Sequence, residues 1–280
     1  MMNPYDIITK RKNSIFYCIS PSIVFIVLQA VVSVVIVFGL LFSGQLGYET
    51  VYYINANLLA IMIPVHAATI IIYFFSFRKN EKKHFDDVYQ NKMSALDIVL
   101  MALMGIAMHA LVTLFFMFIY YLSDGTVNNT QTVQIGSSII IPVITLGILG
   151  PIAEELVCRA VIFNRLRMRG SEKNAILISA LVFGLMHMNV FQSSYTFILG
   201  VVQAAAYAKY ENLLAPIILH MSFNLANFIY LTGILEDYYY TDIALLVVMG
   251  AIFVFTLRFM VKKPKAIKKQ VQPDIPGGGI

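Results

Sequence analysis

The chain has 280 residues, of which 59% are hydrophobic and 12% are charged, and its formal net charge is +5. Soluble globular proteins average roughly 45–50% apolar and about 25% charged residues, so this composition excludes an ordinary soluble domain and predicts an integral, multi-pass membrane protein in a lipid bilayer. The Lys and Arg residues lie in short clusters between apolar runs, which indicates membrane topology rather than a nucleic-acid partner.

Eight apolar runs follow one another along the chain, and we predict that each forms a helix in the membrane. They cover residues 15–42, 53–77, 98–122, 137–166, 175–188, 195–208, 213–235 and 243–261. The first run is longer than the ~7–15 apolar residues of a signal-peptide core, so it predicts an uncleaved signal anchor. The fifth and sixth runs are short for a span, which leaves open whether they cross the bilayer or are shortened helices buried in the bundle.

Basic residues mark every second link between these runs. The links after the first, third, fifth and seventh runs contain neither Lys nor Arg, whereas the links after the second, fourth and sixth runs contain basic residues. This positive-inside pattern predicts that both termini are cytoplasmic. The fourth run also contains Pro142, Gly147, Gly150 and Pro151, which predict a kink or broken turn just before Glu154.

A carboxylate pair interrupts the fourth run, where Glu154 and Glu155 are followed by Arg159. Burying a carboxylate in hydrocarbon costs at least ~2.5 kcal/mol, so such residues need partners and usually have a function. Glu155 and Arg159 are four residues apart with the acid first, which is the favourable order for a helical ion pair. Glu154 is turned about 100° from Glu155 around the helix. We therefore expect Arg159 to neutralise Glu155, and Glu154 to face a cavity.

Further polar residues lie in the fifth and seventh runs. Counted at ~1.5 Å per residue from the polar ends of their runs, His187 and His220 reach a depth in the bilayer similar to that of Glu154. His220 and Asn224 are four residues apart and therefore share one helix face. Phe183 lies one turn before His187, and we expect it to form part of the wall of the same cavity.

These residues form three motifs, EExxxR, FxxxH and HxxxN, in this order on successive membrane helices. With them the chain resembles the CPBP family, which comprises the CAAX-protease and bacteriocin-processing intramembrane proteases, including the Rce1-type prenyl-protein endopeptidases and the Abi proteins. The resemblance covers roughly residues 136–230, and three motifs in order are far more specific than any one of them. It implies an intramembrane endopeptidase, a hydrolase that acts on a membrane-associated or prenylated protein or peptide. We expect it in a bacterial plasma membrane.

The resemblance also implies roles for the motif residues. Glu154 would act as general base on a water molecule with the help of His187, and His220 and Asn224 would donate hydrogen bonds to the developing oxyanion. Glu155 and Arg159 would have a structural role.

Metal dependence is open in this family, whose members have been described both as metalloproteases and as glutamate-type proteases. Glu154, His187 and His220 with one water would match the ligand pattern of a catalytic zinc site. The chain has no HExxH motif, and Asn224 is a poor zinc ligand but a good oxyanion donor. We therefore favour a glutamate mechanism without a cofactor, with zinc as the alternative.

Other residues and other functions have plainer interpretations. His66 and His109 are single histidines on apolar helices, and we predict that both are satisfied core residues. Cys18 and Cys158 are predicted to be ordinary buried thiols.

A proton-coupled transporter is the main rival function, although it would spread its ionisable residues over more helices. A catalytically silent scaffold or immunity protein of the same fold is the second rival, and it would be favoured by a broken motif.

The predicted architecture is an all-α membrane helix bundle of about eight transmembrane helices. It divides into a cytoplasmic N-terminus, accessory helices 1–3, a catalytic core, a C-terminal transmembrane helix and a basic, disordered cytoplasmic tail, which cover residues 1–14, 15–135, 136–235, 236–262 and 263–280. The sequence predicts neither the oligomeric state nor the cleavage site.

Overall fold

A computed structural model describes residues 14–42, 59–60, 62–75, 91–124, 139–231 and 239–264. The regular structure in these ranges is helical throughout, so the predicted all-α class is confirmed. We number the helices α1 (Ile15–Phe42), α2 (Met62–Phe75), α3 (Ala95–Leu122), α4 (Ile140–Arg167), α5 (Glu172–Leu185), α6 (Val190–Tyr210), α7 (Leu214–Leu231) and α8 (Tyr239–Lys262). The basic loop after the second run and the predicted disordered tail lie outside the described residues.

Four of these helices are long and apolar enough to cross a membrane, namely α1, α3, α4 and α8. In the apolar windows of α1 and α8 only 22% and 11% of residues are buried, against 50% in α4, so α4 is central and the other two are peripheral. Two further apolar helices, α2 and α7, are shorter in the described residues. The chain is therefore a multi-pass membrane helical protein.

The fifth and sixth runs form helices of unequal length. Helix α6 has 21 residues and spans about 31 Å, close to the ~30 Å hydrocarbon thickness, so it is not a shortened helix. Helix α5 has only 14 residues, and it exposes Leu177, Leu181 and Leu185 along one side. Three leucines at helical spacing on an exposed side indicate that α5 faces lipid there and is not enclosed by the bundle.

Side-chain caps fix where the central helices begin. The Ser171 hydroxyl accepts from the Asn174 N–H at the start of α5, and Asn189 Oδ1 accepts from the Gln192 N–H at the start of α6. Each cap satisfies a backbone donor that the first helical turn leaves free. The short link between these helices therefore places His187 at the turn of an α5–α6 hairpin.

Helix α4 contains two wide π-helical stretches, Val143–Leu149 and Leu156–Phe163, on either side of the α-helical segment Gly150–Glu155. The backbone stays helical at Gly150, whose N–H donates to the carbonyl of Thr145, five residues back. Of the predicted kink or broken turn before Glu154, the broken turn is absent, and the regular α-helix is disturbed there by a widened stretch that accommodates Pro151. Wide turns of this kind are frequent at functional sites.

Helix α7 lies directly against α3 at a glycine. A Cβ placed on Gly105 would be 2.2 Å from the Leu219 carbonyl oxygen and 2.9 Å from the Phe223 nitrogen, so only glycine allows this approach of the two backbones. Next to Leu219 is His220, so this contact sets the position of the polar face of α7.

Candidate active site

A cavity of about 140 Å³ lies between α2, α4, α6, α7 and the α5–α6 turn. The four residues predicted to carry the chemistry all line it, although they come from three separate parts of the sequence: Glu154, His187, His220 and Asn224. Apolar and aromatic side chains complete the walls, among them Leu146, Leu199 and Phe223. The structure therefore brings the predicted site residues together in one small, mostly enclosed space.

The two glutamates face different surroundings, as the helical geometry predicts. The side chain of Glu154 lines the cavity and is 20% exposed, whereas that of Glu155 is 0% exposed. Arg159 Nε lies 2.9 Å from Glu155 Oε2, and the arginine side chain is also 0% exposed, so the expected ion pair is present. Arg159 Nη2 donates a 2.8 Å hydrogen bond to Gln203 Oε1, which fixes the guanidinium from a second side.

His220 lies between the two carboxylates, a position that no spacing in the sequence predicts. Its Nδ1 is 3.1 Å from Glu155 Oε1, and its Nε2 is 3.7 Å from Glu154 Oε2. An ionised carboxylate can only accept, so the Nδ1 N–H of His220 donates a hydrogen bond to Glu155. Glu155 therefore has two partners, the predicted Arg159 and, in addition, His220.

His187 is held by the backbone of its own helix. Its Nδ1 lies 2.9 Å from the carbonyl oxygen of Phe183, and because a carbonyl can only accept, Nδ1 is the protonated nitrogen. In the neutral ring this leaves Nε2 as an acceptor.

Phe183 supports both histidines from behind. Its ring meets those of His187 and His220 edge-on, at centroid distances of 5.1 and 5.5 Å, and the Arg159 guanidinium lies 5.2 Å from its centroid. The side chain is fully buried and does not line the cavity, so the prediction that Phe183 walls the cavity was wrong. It lies one layer further out because the two histidine rings stand between it and the open space.

Asn224 is tied to the first wide turn of α4, where its Nδ2 donates a 2.8 Å hydrogen bond to the Leu146 carbonyl. The donors normally available to that carbonyl lie four and five residues on. The Gly150 N–H already donates to Thr145, and Pro151 has no N–H. Asn224 therefore satisfies a carbonyl that the proline leaves free, and its second N–H remains for another acceptor.

The two histidines predicted to be core residues behave differently. His109 Nε2 lies 3.3 Å from the Thr113 hydroxyl and its ring packs edge-on against Phe223 at 5.2 Å, which fits the predicted core role, and His109 does not line the cavity. His66 lines the cavity, and among the described residues its Nδ1 has no hydrogen-bond partner. The prediction for His66 was therefore wrong, because only the packing of α2 against α4 brings it to the site.

The donor types at the site would suit zinc, since two histidines and a carboxylate are common zinc ligands. Their arrangement does not fit a bound ion. Within the described part of the chain, no group of three or more His, Cys, Asp or Glu side chains is placed to hold a metal.

The fold and the site together define the class of this protein. It is a multi-pass membrane helix bundle with buried carboxylates and histidines around one cavity. Residues 136–226 match the family model described as type II CAAX prenyl endopeptidase, Rce1-like. This confirms the resemblance inferred from the three motifs, and over these residues the chain is similar to this family of membrane CAAX proteases.

One curated relative is similar to part of the chain. The chain is 30% identical over 97 residues to the Bacillus subtilis (strain 168) protein named "Putative membrane peptidase YdiL". The aligned part is 34% of this chain, and it spans 40% of the relative's length. No solved structure matches the chain significantly.

Proposed function

We propose that the protein is an intramembrane endopeptidase in which Glu154 activates a water molecule for hydrolysis of a peptide bond. The observation that carries this proposal is the shared cavity of Glu154, His187, His220 and Asn224. Glu154 is the carboxylate that reaches this space, while Glu155 is held behind it by Arg159 and His220. The match to a peptidase family over the same residues supports hydrolysis over proton-coupled transport, and the intact motifs count against a silent scaffold.

The water would be held between Glu154 and the Nε2 of His187. As its oxygen attacks the carbonyl carbon of the substrate, one of its protons passes to Glu154 and a C–O bond forms. The C–N bond then breaks while the amine leaving group takes that proton from Glu154. The products are a new carboxyl terminus and a free amine, and no redox partner or covalent enzyme intermediate is needed. We route no step through a metal, because the residues do not converge on one.

The oxyanion would be stabilised from the α7 side of the cavity. Asn224 has one N–H free for it, because the amide uses only the other on Leu146. His220 can donate from Nε2 when both ring nitrogens carry protons, since Nδ1 already donates to Glu155. In that form Arg159, Glu155, His220 and Glu154 together carry no net charge. Such preorganised donors typically contribute ~3–4 kcal/mol each to transition-state stabilisation.

The topology belongs to the same proposal. We place both termini in the cytoplasm, with about eight membrane-crossing helices in a bacterial plasma membrane, on the strength of the alternating basic links. Residues 136–235 would form the catalytic core, and residues 15–135 would be accessory helices that support it. The substrate would be a membrane-associated or prenylated protein or peptide that reaches the site from within the bilayer.

The test compares peptides released by membranes that contain the wild type or the Glu154→Gln variant, measured by mass spectrometry. Glu172→Gln is the matched control, because Glu172 is 35% exposed, is 3.8 Å from Arg167 and does not line the cavity. We expect peptides that wild type and Glu172→Gln release and Glu154→Gln does not. Equal peptide release by folded, membrane-inserted Glu154→Gln would refute the proposal.

A further inference from the structure

A third histidine, His66 on α2, faces the cavity and lies outside the family segment of residues 136–226. It is 4% exposed. A Cβ placed on Gly150 would be 3.7 Å from His66 Nε2 and 3.9 Å from Glu154 Oε1. These two atoms therefore border the same cavity beside Gly150, and its volume of about 140 Å³ is large enough for a shared water.

The hydrogen bonding of the His66 ring indicates its tautomer. Among the described residues, Nδ1 is buried and has no partner. A buried N–H without a partner is rare, whereas an unused acceptor is better tolerated. The neutral ring therefore carries its proton on Nε2, which directs an N–H donor into the space that it shares with Glu154.

We propose that His66 is a positioning residue that orients the attacking water beside Glu154, an inference that rests on the proposed function. A water molecule has two protons and two lone pairs. Glu154 and the Nε2 of His187 are both acceptors, so they hold the two protons. The His66 N–H then binds one lone pair and leaves the other directed at the substrate carbonyl. His66, Glu154 and His187 would thus bind both protons and one lone pair of the water, and the lone pair that attacks the substrate would stay unbound.

The test replaces His66 in the purified enzyme, with a synthetic peptide that spans the cleavage site found in the Glu154-dependent products. Leu removes the donor, Gln places an amide N–H near the Nε2 position, and Asn places one near Nδ1 instead. We expect Leu and Asn to lower kcat roughly 10- to 100-fold with KM little changed, and Gln to restore most of kcat, because a misplaced reactant loses about that much rate.

Thr69→Val is the control for disturbance of α2. Thr69 is one turn from His66, and its hydroxyl donates to the Val65 carbonyl in the same helix, so kcat should stay at the wild-type value. Equal kcat for the Gln and Asn variants would overturn the proposal, and so would wild-type kcat in His66→Leu. If Glu154→Gln retains full activity in the same assay, the proposed function itself fails. An inactive Glu154→Gln variant together with a fully active His66→Leu variant would refute only the proposed role of His66.

Discussion

Arg159→Met tests whether the buried ion pair of α4 has both a structural and a functional role. Both side chains of the Glu155–Arg159 pair are 0% exposed and their charged atoms are 2.9 Å apart. At an effective dielectric constant of about 20, unit charges at that distance attract by about 6 kcal/mol. Much of this offsets the loss of hydration. Removing one partner nevertheless leaves the other charge buried and typically lowers stability by about 3–5 kcal/mol.

The double variant Glu155→Gln/Arg159→Met separates the two roles. Because it removes both charges, we expect the free energy of unfolding to recover to within about 2 kcal/mol of wild type. Turnover should not recover, since a neutral amide replaces the carboxylate that holds His220 Nδ1 at 3.1 Å. We expect kcat to remain roughly 10- to 100-fold low, as for other misplaced catalytic groups.

Chemical unfolding in detergent, followed by far-ultraviolet circular dichroism, measures the first effect, and peptide cleavage by the folded fraction measures the second. Two results would contradict the reasoning. One is an Arg159→Met variant whose unfolding free energy is within about 1 kcal/mol of wild type. The other is a double variant with wild-type kcat, which would mean that Glu155 has no influence on His220.

Three further changes test other parts of the structure. Asn224→Ala should lower kcat about 10²- to 10³-fold through loss of an oxyanion donor, measured by steady-state cleavage, and an unchanged kcat would remove Asn224 from the site. Gly105→Ala should force α3 and α7 apart at Leu219 and destabilise the fold by about 1–3 kcal/mol, measured by chemical unfolding, with wild-type stability as the contrary result. Lys263→Met removes a partner at 2.5 Å from the buried Asp97, and because the lysine is partly exposed we expect a stability loss of only about 1 kcal/mol that shrinks further in high salt. A loss that does not respond to salt would point to packing of the Lys263 stem instead.

The sequence was most informative where the physics is local. Continuous apolar composition placed the first helix at residues 15–42, and the structure has α1 at Ile15–Phe42. The four-residue spacing of Glu155 and Arg159 predicted their ion pair, and the 100° step between neighbours predicted which glutamate faces the cavity. These inferences needed only the geometry of one helix.

Contacts between distant helices were beyond the sequence. The bond from His220 to Glu155 depends on the approach of α7 to α4, which no spacing within either helix encodes. The place of His66 at the cavity depends in the same way on how α2 packs. Asn224 was chosen for its amide, but its bond to Leu146 follows from a proline five residues beyond that carbonyl in a widened helix. Such contacts depend on the three-dimensional path of the backbone and not on residue spacing alone.

The wide turns of α4 also bear on how this protein can vary in length. A π-helical turn holds about one residue more than an α-helical turn, and it usually behaves as a single-residue insertion. Deleting one residue from Val143–Leu149 should therefore be absorbed as ordinary α-helix, with the membrane span intact. The residues on both sides of the deletion should then keep their faces, because removal of the extra residue restores the α-helical period. Relatives that lose one residue here should keep both the fold and the direction of Glu154 toward the cavity.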